Sequence, residues 1–197
     1  MKLSTGLRPL CNALPQNYMP GATLRRLAHD LTGLRAEILA ADRWRFDQPG
    51  ASWHFEVRER VQPQFLMHIV SSRFMMPVVH SEAGYSRISL THSGIWRRSG
   101  LRWKIKQGDQ ARLQSLLTRL FADQPLYEAF MALDFHCFEL IQDASGWRVE
   151  AEPYGASEVV VRFPSMRRYI RLTFEQAQHL LNALARLQGK LRALENG

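Results

Sequence analysis

HCFELIQDASGWRVEAEPYGASEVVVRFPSMRRYIRLTFEQ, residues 136–176, is the stretch that decides the fold. Apolar and polar side chains alternate through four short runs, roughly 136–142, 147–152, 158–163 and 166–172. A period of two marks a strand with one buried face. Asp143-Ala144-Ser145-Gly146 and Pro153-Tyr154-Gly155 are turns between the first three runs. The run therefore reads as an antiparallel meander. Thr173-Phe174-Glu175-Gln176 follows as a capping box, with Thr and Gln three residues apart. It opens the strongest helix, whose apolar stripe is Phe174, Ala177, Leu180, Leu181, Leu184, Leu187 and Leu191.

The same two periods recur upstream. Thr23 reads as a helix N-cap ahead of Leu24, Leu27, Leu31 and Leu34, and Gly33 sits at a plausible stop. Ile38, Ala40, Trp44 and Phe46 share one parity. After the turn Asp47-Gln48-Pro49-Gly50, Trp53, Phe55, Val57 and Val61 alternate with His54, Glu56, Arg58 and Arg60. A three-residue loop at Gln62-Pro63-Gln64 would pair Val57 with Ile69 and Glu59 with Met67, keeping Phe65, Met67 and Ile69 inward. Arg87–Thr91 and Leu101–Lys106 read as further strands. Gly108-Asp109 and Asp123-Gln124-Pro125 open two helices, the first striped by Leu113, Leu116, Leu117 and Leu120. The expected class is α+β: antiparallel meander sheets with amphipathic helices on one face. One domain spans 22–197, after an irregular arm over 1–21. Residues 101–120 and 168–187 also align with each other, so two pseudo-repeated helix–strands–helix halves, 22–121 and 122–194, are a second way to divide the chain.

The totals are those of an ordinary globular chain: 197 residues, 46% hydrophobic and 22% charged. The net charge is +8, with only Lys2, Lys104, Lys106 and Lys190 as lysines among the 26 basic residues. Such an arginine bias fits a GC-rich coding sequence as well as it fits anion binding. The charge is lopsided. Residues 1–107 hold 16 basic and 7 acidic side chains (+9), and residues 108–197 hold 10 and 11 (−1). No apolar run approaches the roughly 18 residues that span a bilayer, and the N-terminus lacks a signal-peptide core. A cytoplasmic location is the expectation, with Cys11 and Cys137 as reduced thiols.

Chemistry-bearing motifs are few. The glycine spacing fits neither G-x-G-x-x-G nor a P-loop, and there is no G-x-S-x-G, H-E-x-x-H or acidic calcium loop. His136-Cys137 are strand neighbours and point to opposite faces. Asp134 with His136, and His54 with Glu56, share a face without a visible third metal ligand. No catalytic residue, metal or cofactor is assigned. The most specific surface feature is cationic. Arg87, Arg97, Arg98, Arg102, Lys104 and Lys106 fall between Ala83 and Gly108 without an intervening acid. Arg102, Lys104 and Lys106 alternate with Leu101, Trp103 and Ile105, which sets the cations about 6.5–7 Å apart along one face. That spacing suits phosphates, so Arg97, Arg98, Arg102, Lys104 and Lys106 are candidate anion or nucleic-acid contacts. Arg167, Tyr169 and Arg171 form a weaker second row, with Tyr169 able to stack on a base. Phe74, Met75, Met76 and Val78 flank Pro77 and read either as a core crossing or as a pocket and homodimer surface. The expectation is a binding or adaptor protein whose sheet docks a protein or small ligand. Nucleic-acid binding is the alternative, and an enzyme with a dispersed site is the second.

Overall fold

The computed structural model describes residue 15 and residues 17–50, 53–79, 84–94 and 99–195. The elements run α1 (Ala22–Asp30), β1 (Arg35–Ala40), β2 (Arg43–Asp47), β3 (His54–Pro63), β4 (Met67–Val79), β5 (Ser86–Ser93), β6 (Gly100–Gln107), α2 (Gln110–Phe121), α3 (Gln124–Ala132), β7 (Phe135–Asp143), β8 (Gly146–Pro153), β9 (Ser157–Val161), β10 (Met166–Ile170) and α4 (Phe174–Glu195). The strands form one 10-stranded sheet of order β1-β2-β3-β4-β8-β7-β5-β6. The hairpin β9-β10 branches from it, so the last four strands are not one meander as expected: β9 pairs β4 and not β8. β4 is long enough to carry two partners along one edge, with Met67–Ser71 pairing β9 and Phe74–Val79 pairing β8. Every pairing is antiparallel. This is the α+β architecture that the two periods foretold.

The helices pack on one face because the strands' apolar parity faces one way. Trp44, Phe46, Phe55 and Phe74 stack across β2, β3 and β4, with Phe46–Phe55 and Phe55–Phe74 centroids at 5.5 and 5.6 Å. Such cross-strand aromatic pairs fix register as well as stability. At the other end Trp103 meets the edges of Phe121, Phe130 and Phe138, tying β6 and β7 to α2 and α3. Each fully buried phenylalanine contributes about 2–3 kcal/mol. Asp109 and Asp123 cap α2 and α3 through the Arg112 and Leu126 N–H groups, and Thr173 and Gln176 exchange the capping-box bonds. Gly108 (φ 114°) turns the chain from β6 into α2 where a Cβ would lie 2.7 Å from Ser86 Oγ, so only glycine fits. Among the described residues no helix is long and apolar enough to cross a membrane.

Three further expectations are corrected. The β3–β4 turn falls later than Gln62-Pro63-Gln64, at residues 64–66, which shifts the register: Pro63 pairs His68, Val57 pairs Phe74 and Val61 pairs Val70. This puts His68 and Val70 inward, turns Met67 and Ile69 to the opposite face and leaves Phe65 91% exposed. Four-residue turn closure by the Gln64 N–H on the Met67 carbonyl sets that register. Second, Pro77, a residue type expected at an edge or in a loop, lies inside strand β4, at a point where only β8 pairs with it. It is tolerated because β3 pairing ends at Met75 and the β4–β8 ladder shifts register beside it. Third, α1 begins at Ala22, with Gly21 rather than Thr23 at the cap, because its N-terminal carboxylate arrives from β3. The halves 22–121 and 122–194 hold six and four strands, and the hairpins β5-β6 and β9-β10 join the sheet differently. Most of the expected arm 1–21 lies outside the described residues.

Candidate functional site

With helices on one side, the other face of the sheet is left bare. Registers align its side chains into lateral rows. One row runs Arg45, Glu56, Met75, Glu150, Glu139, Ser89, Lys104 across β2, β3, β4, β8, β7, β5 and β6. Strands about 4.8 Å apart make that row roughly 29 Å long. Most of its charge is internally matched. Arg43 and Arg45 pair Glu56, Arg58 pairs Asp42, and Arg87 pairs Glu139. Arg35 pairs Asp47, and Arg148 pairs Asp143 and Glu150.

The matching is tightest around Glu152, whose side chain is 1% exposed. Arg73 Nε donates to it at 2.6 Å, Arg60 Nη1 at 3.1 Å and Ser71 Oγ at 3.2 Å. Arg73 Nη1 also reaches Glu150 at 2.9 Å. Burial pushes the Glu152 carboxyl up, but the hydrogen bonds and charges of Arg73 and Arg60 outweigh it and hold the group below the ordinary glutamate range. Cys137 sits beside this cluster. Burial, then the Glu139 and Glu152 charges, raise its thiol above the usual value, which disfavours a thiolate nucleophile. His136 is exposed, with its ring 6.0 Å from Tyr154, and stands at an irregularity of the ladder where Phe135 pairs Pro153 and Cys137 pairs Glu152. Among the described residues no three His, Cys, Asp or Glu side chains converge as a metal site.

β6 departs from this matching. Arg102, Lys104 and Lys106 are exposed on the bare face while Trp103 turns to the aromatic cluster. The lateral neighbours of Arg102 and Lys104 on β5 are Thr91 and Ser89, not acids. Among the described residues no carboxylate lies within ion-pair reach of these three. The eight other cations on the face of β1 to β8 are all paired. β6 is also terminal, pairing among the described residues with β5 alone. Arg97 and Arg98 lie outside the described residues.

The other sequence candidates separate. Arg167, Tyr169 and Arg171 share a side of β10 that packs on α1. Tyr169 Oη and Arg171 Nε donate to Asp30 at 2.7 and 2.8 Å, and Arg167 Nη2 donates to the Asn17 carbonyl. Burial first, then Asp30, hold the Tyr169 phenol well above its usual pKa. That row is engaged with the protein itself. Phe74, Met76 and Val78 are each 1% exposed and belong to the core, not to a free surface. Met75 and Pro77 face the bare side, lining a groove of about 320 Å³ with Arg43, Arg58 and Trp147.

Two features escaped sequence reasoning. Glu59, Asp30, Glu158 and His68 are buried polar residues, the first three on α1 or in contact with it. Glu59 was legible in principle, as an acid on the inward parity of Phe55 and Val57. The exposed apolar tips of the β3–β4 and β9–β10 hairpins had no sequence signal, because their adjacency depends on β4 pairing β9.

The family described as "Protein of unknown function (DUF3156)" matches residues 29–191. No curated protein and no solved structure matches the chain.

Proposed function

We propose that this chain, which belongs to the DUF3156 family, is a binding protein that docks an acidic, extended protein segment along β6. The observation that carries the reading is the unmatched row Arg102, Lys104 and Lys106 on a terminal strand. A segment added beside β6 gains main-chain hydrogen bonds from the open edge. Its alternate side chains would lie on the bare face about 4.8 Å from the three cations, so a carboxylate at every second position completes the row.

A nucleic-acid strand is the second reading, favoured by a specific feature: residues 84–108 hold six cations and no acid. Both readings are tested by titrating the protein, and its Arg102→Glu, Lys104→Glu double variant, with a peptide of alternating Glu and Val and with single-stranded DNA. The peptide is expected to bind at low salt and lose about tenfold or more on charge reversal. Exposed positions leave folding intact. If DNA binds instead, three phosphate contacts give a log–log salt slope near about −2. Retention of neither ligand, or binding indifferent to the double reversal, removes the docking role of β6.

A further inference from the structure

The branch of the sheet built from β9, β10 and the first half of β4 presents a second surface of different character. Two hairpin turns abut there, joined by the Arg162 N–H on the Leu66 carbonyl at 2.9 Å. Their tips carry Phe65 at 91%, Leu66 at 55% and Phe163 at 83% exposure, with Met166 at 53% beside them. Behind the tips, Met67, Ile69, Val159 and Val161 line the same face, half-buried. Contiguous exposed apolar surface of this kind marks an interaction site.

The charge around it is one-sided. Within residues 62–71 and 157–171 the only acid is Glu158, which is 2% exposed and turned to the opposite face toward Arg26 and Arg167. Arg162 and Arg168 are exposed, and among the described residues neither has a carboxylate partner. A second copy of the chain is a poor occupant. A two-fold contact through this face brings the same unneutralised arginines together. An anionic lipid surface meets both demands: apolar tips enter the acyl boundary, and guanidinium groups rest on headgroup phosphates.

We infer that this edge is a peripheral membrane-binding site, in which Phe65, Leu66 and Phe163 insert between anionic lipids held by Arg162 and Arg168. This surface is separate from the β6 row and does not depend on it. The mode is shallow insertion by hairpin tips, with no spanning segment.

The test is co-sedimentation of the full chain with vesicles of phosphatidylcholine and phosphatidylserine in equal parts, against phosphatidylcholine alone. Two arginines near an anionic surface are expected to raise partitioning by an order of magnitude or more, at about fivefold each. Phe65→Ser with Phe163→Ser should weaken binding by about tenfold or more, since each ring loses its apolar burial. Arg162→Glu with Arg168→Glu should reduce binding to the phosphatidylcholine level. These positions are exposed, so unchanged thermal melting accompanies the expected loss. Failure to sediment with anionic vesicles overturns the proposal, as does full binding by the Phe65, Phe163 variant. A dimer seen by light scattering that the same variant dissolves also overturns it and assigns the face to self-association.

Discussion

Glu59 is the residue whose removal should disturb the fold most for its size. It stands on β3 among inward apolar side chains and is 5% exposed. Its Oε1 accepts from the Thr23 and Leu24 N–H groups at 3.0 and 3.2 Å, and its Oε2 accepts from Gly21 N–H at 2.9 Å and Tyr18 Oη at 2.7 Å. The cap residue Gly21 has no side chain to do this, and its φ of 79° with Ala41 O only 2.6 Å from a would-be Cβ excludes any other residue. A carboxylate from the sheet thus serves the positive end of α1, where free N–H groups concentrate. Burial first, then Glu59, hold the Tyr18 phenol well above its usual pKa, so it remains a donor.

Glu59→Gln keeps the bonds at one oxygen but sets an amide NH₂ against the Gly21 N–H and removes the charge. One lost bond plus weakened charge assistance comes to about 2 kcal/mol. Glu59→Ala strips all four donors. The site borders an open groove lined by Tyr18, Pro20, Arg58 and Arg60, so water can enter and each donor costs about 1 kcal/mol rather than more. The sum is about 3–4 kcal/mol. For a chain of this length that is about 6–16 °C in Tm, against about 4–8 °C for the glutamine. Urea unfolding measures both, and hydrogen exchange in 22–30 should rise first. A Glu59→Gln loss below about 0.5 kcal/mol, an ordinary surface value, would refute the argument.

Arg73→Met leaves the Glu152 carboxylate buried with Arg60 as its sole cationic partner, and should destabilise by about 3 kcal/mol at neutral pH. Glu152's folded pKa is depressed, so the stability it confers is present above its ordinary value of 4.5 and is lost as pH falls through the folded value. The wild-type to variant gap in urea midpoint should therefore close in acid, and a constant gap contradicts the pairing. His68 is 0% exposed, and neither ring nitrogen has a hydrogen-bond partner among the described residues. Burial, then Arg162 and Arg167, depress its pKa below 6.5, so the unfolded chain takes up a proton that the fold refuses. Stability should decline as pH drops below 6.5, by at most about 1.4 kcal/mol per unit, and His68→Leu should remove that slope. Parallel acid profiles for the two proteins would count against it.

Local chemistry was readable and partner choice was not. The Asp109, Asp123 and Thr173 caps, the existence of the last four strands (though not their order as a meander) and the inward parity of Trp103 all follow from short-range pattern. What failed was distance. The β3–β4 register turned on where the turn falls, and placing it too early in the chain reversed the assignment of Met67, Ile69 and Val70. Phe74–Val79 was ambiguous because a central strand under α4 and an exposed apolar run carry the same letters. The cationic row at β6 was legible as a row. Its lack of carboxylate neighbours was not, since that required knowing that Ser89 and Thr91, rather than an acid-bearing strand, lie beside it. Arg167 and Arg171 look equally basic in sequence, but α1 brings Asp30 to Arg171, and Glu158 lies across the β9–β10 ladder from Tyr169, within reach of Arg167.

Cations on a terminal strand also have a protective effect, because they keep open edges from pairing with copies of themselves. In the proposed function, protection and docking at β6 would come from one charge pattern. Two β6 edges meeting antiparallel would oppose Arg102, Lys104 and Lys106 with the same row, and like charges a few ångström apart are repulsive. A neutral strand gains the main-chain bonds but leaves three cations partly desolvated. Only an acidic strand gains both. Specificity is the difference between those cases, so the row that rejects self-pairing would also select the proposed partner. The paired arginines on β2, β3 and β4 cannot do this. Recruiting Arg73 or Arg60 to an outside anion would strand the buried Glu152, and that penalty disfavours exchange at the centre of the bare face, which is why the proposed docking is assigned to its β6 margin.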